Sequence, residues 1–245
     1  MRTFNLRLIA ASLGVATLLA IGGTTAQAQA ENGDFKLYIG GIPAGQLTIS
    51  AQNNGKAYQV AGYVRSTGLI GSLVKVSYKA QVKGAVNNGK LSPQSYAEQA
   101  DTGRREQSSQ LNYKNGVPQV LKLDPPRTKR DYDVNPAGQK GTLDPLSMIY
   151  SALRNVEESD ACTLNQKMFD GRRLSEIVLG APSKNGNEIS CSGVYRRLGG
   201  FSPEDMQERT DFRFTLTYGA LSDGRYGVQR ISSESLFGKV VIKRK

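Results

Sequence analysis

The feature that most constrains this chain is a recurring punctuation. Runs in which apolar and polar residues alternate are stopped again and again by Asn-Gly or Asp-Gly. Asn53-Asn54-Gly55, Asn87-Asn88-Gly89, Asn115-Gly116 and Asp170-Gly171 each divide two such runs. Asn and Asp tolerate left-handed backbone and Gly adopts it freely, so these dipeptides favour the tight turns of β-hairpins. Between the turns, Phe35, Leu37 and Ile39 alternate with polar neighbours, as do Tyr58, Val60 and Val64, and then Val76, Tyr78, Ala80 and Val82. Period two places one set of side chains on one face of a sheet and leaves the other face wet. Hairpins without alternating helices require antiparallel pairing. The runs predict about eleven strands, about seven before a single helical stretch and four after it.

That stretch is Leu143–Val156. Asp144 is an N-cap residue, and Pro145 fits the first helical position, where a missing N–H costs nothing. Leu143 and Met148 have the spacing of a hydrophobic staple. Met148, Ala152, Val156, Ile149, Leu153, Leu146 and Tyr150 cover an apolar arc of roughly 200°, leaving Ser147, Ser151, Arg154 and Asn155 for solvent. A helix so apolar needs an enclosure, and a sheet of this width must curl or close. The expected fold is therefore mainly β: an antiparallel curled sheet, either an incomplete barrel or a β-spiral, wrapped around one central α-helix at 143–156.

Residues 1–30 read as an export signal. Arg2 and Arg7 precede an apolar run from Leu8 to Ile21, and small residues follow, so cleavage is expected near Ala28 or Ala30. Residues 31–245 then form a single β-rich domain in the periplasm, with no transmembrane segment. The formal charge of +11 falls by two to +9 when Arg2 and Arg7 are removed, since no acid precedes Glu31. Export argues against nucleic acid as the partner and leaves anionic lipid headgroups, acidic wall polymers or acidic proteins. In such a compartment Cys162 and Cys191, the chain's two cysteines, are expected to form a disulfide.

The chain contains no histidine. That removes the commonest general base and zinc ligand together, so histidine-dependent triads are excluded and no metal or cofactor is expected. The remaining acid–base material is two carboxylate groupings, Glu157-Glu158 and Glu204-Asp205. They support a wall hydrolase only if two carboxylates converge; clustered acids in polar loops are more often solvated surface. Three arginine pairs, Arg104-Arg105, Arg172-Arg173 and Arg196-Arg197, lie on or beside strands. Alternation would send the members of each pair to opposite faces, which argues against one basic patch. The candidate ligand or partner surface comprises three groups. Leu69, Ile70 and Leu73 lie in the apolar segment Ser66–Leu73, where two glycines disfavour a long helix; a plug on the core edge is expected, with a mobile apolar lip beside a ligand cavity as the alternative. Ser147, Ser151 and Arg154 lie at the helix margin. Arg127, Lys129 and Arg130 lie in the aperiodic, proline-rich stretch Asp124–Gly141.

Thr142-Leu143-Asp144-Pro145-Leu146-Ser147, with Tyr150, Leu153-Arg154 and the later Phe169-Asp170-Gly171-Arg172-Arg173, resembles an exported bacterial family, domain of unknown function DUF3108. Ala44-Gly45 and Gly68-Leu69 are similar to that family as well. The resemblance implies export and carries no catalytic residues. More loosely it extends to periplasmic β-spiral and half-barrel envelope proteins, some of which carry lipoproteins while others support envelope integrity through a disulfide-bonded sheet. The expected function is thus non-enzymatic support of the cell envelope, by binding a lipid, a lipidated protein or an envelope protein on the concave face of the sheet. The alternatives are an interaction scaffold without a small ligand, or the carboxylate-dependent hydrolase.

Overall fold

The computed structural model describes residues 29–235 and 238–245. Most of the expected export signal, 1–28, lies outside the described residues. Seven strands come first: β1 (Gln29–Ile39), β2 (Ile42–Asn53), β3 (Ala57–Ser66), β4 (Ser77–Asn87), β5 (Lys90–Asp101), β6 (Glu106–Lys114) and β7 (Val117–Asp124). Six follow the connection after β7: β8 (Asn165–Phe169), β9 (Leu174–Asn185), β10 (Glu188–Gly199), β11 (Asp211–Ala220), β12 (Tyr226–Ser235) and β13 (Gly238–Arg244). All thirteen belong to one antiparallel sheet, ordered β7 to β1, then β13 back to β8. The expected count of about eleven is therefore too low. Each alternating run after the helix enters the sheet as a separate strand, including both arms of the last hairpin.

Two meanders meet at a seam where β1 pairs with β13, Phe35 opposite Arg244 and Ile39 opposite Val240. The free edges are β7 and β8, which are joined by the long connection between them. This connection laces the gap. The N–H of Val134 donates to the Arg172 carbonyl at 2.9 Å, and that of Gly141 to the Gly116 carbonyl at 2.9 Å. Leu143 forms a parallel bridge with Met168 of β8. The result is a nearly closed, barrel-like sheet.

Two of the four turns read from the sequence have the expected geometry. Asn88-Gly89 and Asn115-Gly116 have positive φ at both residues (50° and 75°, 53° and 76°), as a type I′ turn requires. Asn54-Gly55 does not, its Asn54 side chain accepting from the N–H groups of Lys56 (3.0 Å) and Ala57 (2.8 Å), and neither does Asp170-Gly171, because Asp170 lacks a positive φ. Its carboxylate instead accepts the N–H groups of Arg172 (2.9 Å) and Arg173 (2.7 Å), and this side-chain capping sets the turn.

Among the described residues three short α-helices accompany the sheet: α1 (Gly68–Leu73), α2 (Pro145–Leu153) and α3 (Pro203–Glu208). The Asp144 carboxylate caps α2, accepting from the N–H of Leu146 (3.0 Å) and Ser147 (2.9 Å). The helix is shorter than the expected Leu143–Val156 because both flanks are drawn into strand-like pairing. Leu143 bonds to β8, and Val156 exchanges two hydrogen bonds with Tyr226. α2 lies against β3, β4, β5 and β8. Its Leu146, Tyr150 and Leu153 share one core with Phe35, Ile49, Tyr58, Val60, Val82, Leu216 and Val228. The disulfide Cys162–Cys191, Cα atoms 5.5 Å apart, is buried in the same core. Cys162 sits in the turn before β8, so the bond ties the entrance of that strand to the first part of β10 across β9.

Candidate functional site: an arginine-lined cleft

An antiparallel meander sends alternate turns to opposite ends of the sheet. The β5–β6 turn, the exit from β7, the β8–β9 turn and the β10–β11 connection consequently share one end. There they enclose a cleft of about 530 Å³ lined by Arg105, Arg127, Arg130, Arg172 and Arg173, together with Glu98, Asp124, Tyr132, Asp170, Ser202 and Asp205. Five arginines against four acids give little net charge, so what matters is which groups are already engaged.

Every acid in the lining has a partner. Asp124 pairs with Lys122 at 3.2 Å, and Asp205 accepts from Ser202 at 3.1 Å and faces Arg197 at 3.7 Å. Asp170 is committed to the two backbone N–H groups of its turn, and burial pushes its carboxyl up from the usual range. Glu98 receives the hydroxyls of Tyr78 and Tyr96, whose own pKa values burial raises. Behind the cleft, Arg127 pairs with Asp133 at 2.6 Å, and the Arg130 N–H adds a bond to the same carboxylate. Desolvation raises the Asp133 pKa but is outweighed by these contacts, which hold it below the ordinary carboxylate range.

The cations are less completely matched. Arg173 stacks over the Phe201 ring at 5.2 Å, and Arg130 reaches the Tyr132 hydroxyl. Among the described residues, neither Arg105 nor Arg172 has a carboxylate partner. Arg172 is only partly exposed. Burial first, and the neighbouring Arg127 guanidinium second, pull its pKa below the usual arginine value. A half-buried guanidinium beside another cation and without a carboxylate suits an anion, and carboxylates and phosphates match its fork of donors.

Of the residues singled out from sequence, Arg127 and Arg130 line the cleft, while Lys129 is exposed outside its lining. Arg105, Arg172 and Arg173 were not on that candidate surface. The expectation that the members of each twinned pair separate fails for Arg172-Arg173, both of which line the cleft, whereas of the first pair only Arg105 does. It holds for Arg196, which bonds Glu176 and Asp211 at 2.8 Å each, whereas Arg197 stacks over Phe201 and Phe212. Strand parity groups the β5–β6 turn with the exit from β7, and the β8–β9 turn with the β10–β11 connection; the antiparallel β1–β13 seam then brings the two groups to the same end.

The helix-margin group is divided. Ser147 is fully buried and is no surface residue. Its hydroxyl donates to the Asp144 carboxylate at 2.6 Å and lies 2.7 Å from the Tyr58 hydroxyl, which must then donate to it. Burial raises the Asp144 carboxyl to about 6, against the opposing pull of its bonds from Ser147 and the backbone. Helical geometry alone could not reveal that Tyr58, on β3, would cover the polar stripe of α2. Ser151 and Arg154 are half-buried. The hollow beside Arg154 and Tyr150 measures about 20 Å³, room for roughly one water.

The apolar group departs from expectation in the other direction. Ile70 is half-buried, but Leu69 is 73% and Leu73 81% exposed, so α1 is not a plug on the core edge. Its connection closes on itself: the N–H of Ser66 bonds the Val76 carbonyl, and the Ser66 hydroxyl bonds both Val74 and Val76. That closure holds α1 out from the rim.

The carboxylates do not converge. Glu158 bonds Lys184 near the β9–β10 turn, whereas Glu204 opens α3 beyond the other end of β10. β10 has 12 residues, so roughly 35–40 Å separates the two groups. Hydrogen bonds, from Lys184 to Glu158 and at the α3 N-terminus to Glu204, hold both pKa values below the usual range. A general acid needs the reverse.

Among known proteins, no curated sequence matches this chain. The fold is similar to a crystal structure of a β-barrel-like protein of domain of unknown function DUF1849 from Brucella abortus. The two are 10% identical, the match covers 89% of this chain and 97% of that one, and the TM-score is 0.49. The family described as "Protein of unknown function (DUF3108)" matches residues 34–219. The chain belongs to that family.

Proposed function

We propose that this is an exported, non-enzymatic protein of the periplasm that supports the cell envelope by binding an anionic group of an envelope component. The component is a lipid, a lipidated protein or an acidic partner, and its anion is received in the arginine-lined cleft. The observation that carries the reading is Arg172: half-buried, without a carboxylate, and set beside Arg127, Arg105 and Arg173. Two guanidiniums with free donors at the mouth of a 530 Å³ cleft suit a phosphate or carboxylate.

The supporting arguments start from the sequence. An export signal and a buried cystine fit an oxidising compartment, and cleavage after Ala28 would leave β1 whole. Without histidine, and with Glu158 and Glu204 at opposite ends of β10, a carboxylate-dependent hydrolase is less well supported. On this reading α2 is the plug of a coiled sheet. The interior beside it is filled by side chains, which moves the binding surface from the concave face to the rim. A scaffold acting by strand addition is less well supported, because Leu143 already occupies the outer edge of β8.

The test is extraction of the native protein from the envelope under mild conditions, with mass spectrometry of what comes with it. Wild-type protein should carry an anionic species, and Arg105→Gln and Arg172→Gln should each lose it by about tenfold or more without a change in melting temperature. Wild-type protein carrying no anion, or variants that retain it, would overturn the proposal.

A further inference from the structure

Among the described residues, seven large hydrophobic side chains are conspicuously exposed, and five of them, Ile42, Leu69, Leu73, Val74 and Val76, occupy one place. α1 rests on the start of β2, with Gly68 against the Pro43 carbonyl, so Ile42 joins the α1 side chains on the same rim. Scattered exposed leucines are unremarkable, but a contiguous apolar prominence indicates a contact surface. Nothing in the cleft uses these residues.

The charges around the prominence are mainly positive. Lys75 interrupts the apolar run between Val74 and Val76. Its backbone carbonyl touches Gly103 of the β5–β6 turn, which brings Arg104 alongside; both cations are exposed and have no ion pair among the described residues. Arg65, at the end of β3, is exposed on the same side. The acids of the hairpin are Asp101, whose carboxylate is turned back onto the Gly103 N–H at 2.7 Å, and Glu106. Leucines at the tip with lysine and arginine behind them match an interface whose hydrocarbon lies below a layer of anionic headgroups.

We infer that α1 and the residues after it form a membrane-docking lip that inserts Leu69 and Leu73 shallowly into an anionic bilayer surface while Lys75 and Arg104 contact its headgroups. The inference stands apart from the anion cleft and does not require it. It orients the molecule with its arginine-rich end toward the membrane, so that a cleft ligand would be met at the lipid surface.

The chain contains no tryptophan, so Leu73→Trp introduces a single fluorescent reporter at the lip, and Lys90→Trp places one at the opposite end as a control. With phosphatidylcholine vesicles containing phosphatidylglycerol, Leu73→Trp should shift its emission to the blue and be quenched by brominated acyl chains, while Lys90→Trp should not respond. Sedimentation with the same vesicles should weaken at least about tenfold in Leu69→Ser/Leu73→Ser and about fivefold in each of Lys75→Gln and Arg104→Gln. Melting temperatures should stay unchanged. Several outcomes would overturn the inference: no vesicle binding at low salt, equal binding to pure phosphatidylcholine, or serine variants that bind like wild type. Competition by soluble glycerol phosphate would assign binding to the cleft instead, and a dimer abolished by the serine variants would assign the lip to a second copy of the chain.

Discussion

Two polar clusters in this molecule contain the same kinds of groups and have opposite fates. At the start of α2, Asp144, Ser147 and Tyr58 form a closed series in which every donor meets an acceptor, deep in the core. At the rim, five arginines and four acids share a cleft in which the acids are engaged and two cations are not. A buried polar group without a partner costs about 1–3 kcal/mol, so satisfaction is a condition of being in the core. A partly wet rim relaxes that condition, and unspent donors can persist there. The contrast separates polarity that specifies the fold from polarity available to a ligand.

Substitutions can break the comparison at either pole. The largest effect is expected from Gly200→Ala, which attacks the framework of the rim. Gly200 has φ of +82°, and an added Cβ would meet the Arg172 carbonyl at 2.3 Å. Left-handed strain and a backbone clash together should cost about 3–5 kcal/mol, read as a fall in the denaturation midpoint; a stable variant would mean that the β8–β9 turn is not fixed by this contact. Cys162→Ser should cost roughly 3–4 kcal/mol in the chain-entropy model, and wild-type protein should lose the same amount in reductant. Equal melting with and without reductant would remove the cystine from the stabilising core.

Asp144→Ala should cost about 2–3 kcal/mol, since it removes a cap and strands the donors of Ser147. Asp144→Asn keeps the cap acceptor and should cost less than about 1 kcal/mol. The wild-type carboxyl is raised by burial to about 6 in the folded state and titrates near 4 when unfolded. Its contribution is therefore fully present below about pH 4 and is lost as the pH rises through about 6, by up to about 3 kcal/mol. Unfolding of the Asn variant should lack that segment of the pH profile; an unchanged profile would assign it elsewhere. The smallest effect on stability belongs to Arg172→Gln, within about 0.5 kcal/mol, although this variant should lower anion binding about tenfold or more. A large loss of stability there would place Arg172 with Asp144, as a structural group.

Much of the architecture was legible in the sequence because it depends on local chemistry. Asn88-Gly89 and Asn115-Gly116 announce their turns, and Asp144-Pro145 announces its helix. Strand parity groups the turn of Arg105 with the exit from β7, but only the antiparallel β1–β13 seam brings the turn of Arg172 to the same end. What escaped was decided by partners distant in the chain. Ser147 looked solvent-facing on a helical projection, and only Tyr58 makes it a core residue. Val156 has an apolar, helix-compatible position, yet Tyr226 draws it into a bridge. The exposure of Leu69 and Leu73 reverses the ordinary inference from hydrophobicity, because the hydrogen bonds of Ser66 hold their loop away from the core.

The seam between β1 and β13 has a topological consequence. Arg244 lies opposite Phe35, and the Lys245 N–H bonds the Asp34 carbonyl at 2.9 Å, so the last strand finishes within a few residues of where the first strand begins. A linker of about six to eight residues would span the rest of β1 back to Gln29. A circular permutant joined there and opened after Asp124 would read β8 to β13 and then β1 to β7. Every strand would then pair only with its neighbours in sequence, and the one long-range closure in the natural order would become a local hairpin. Such a chain should refold faster than the native one while retaining the same sheet.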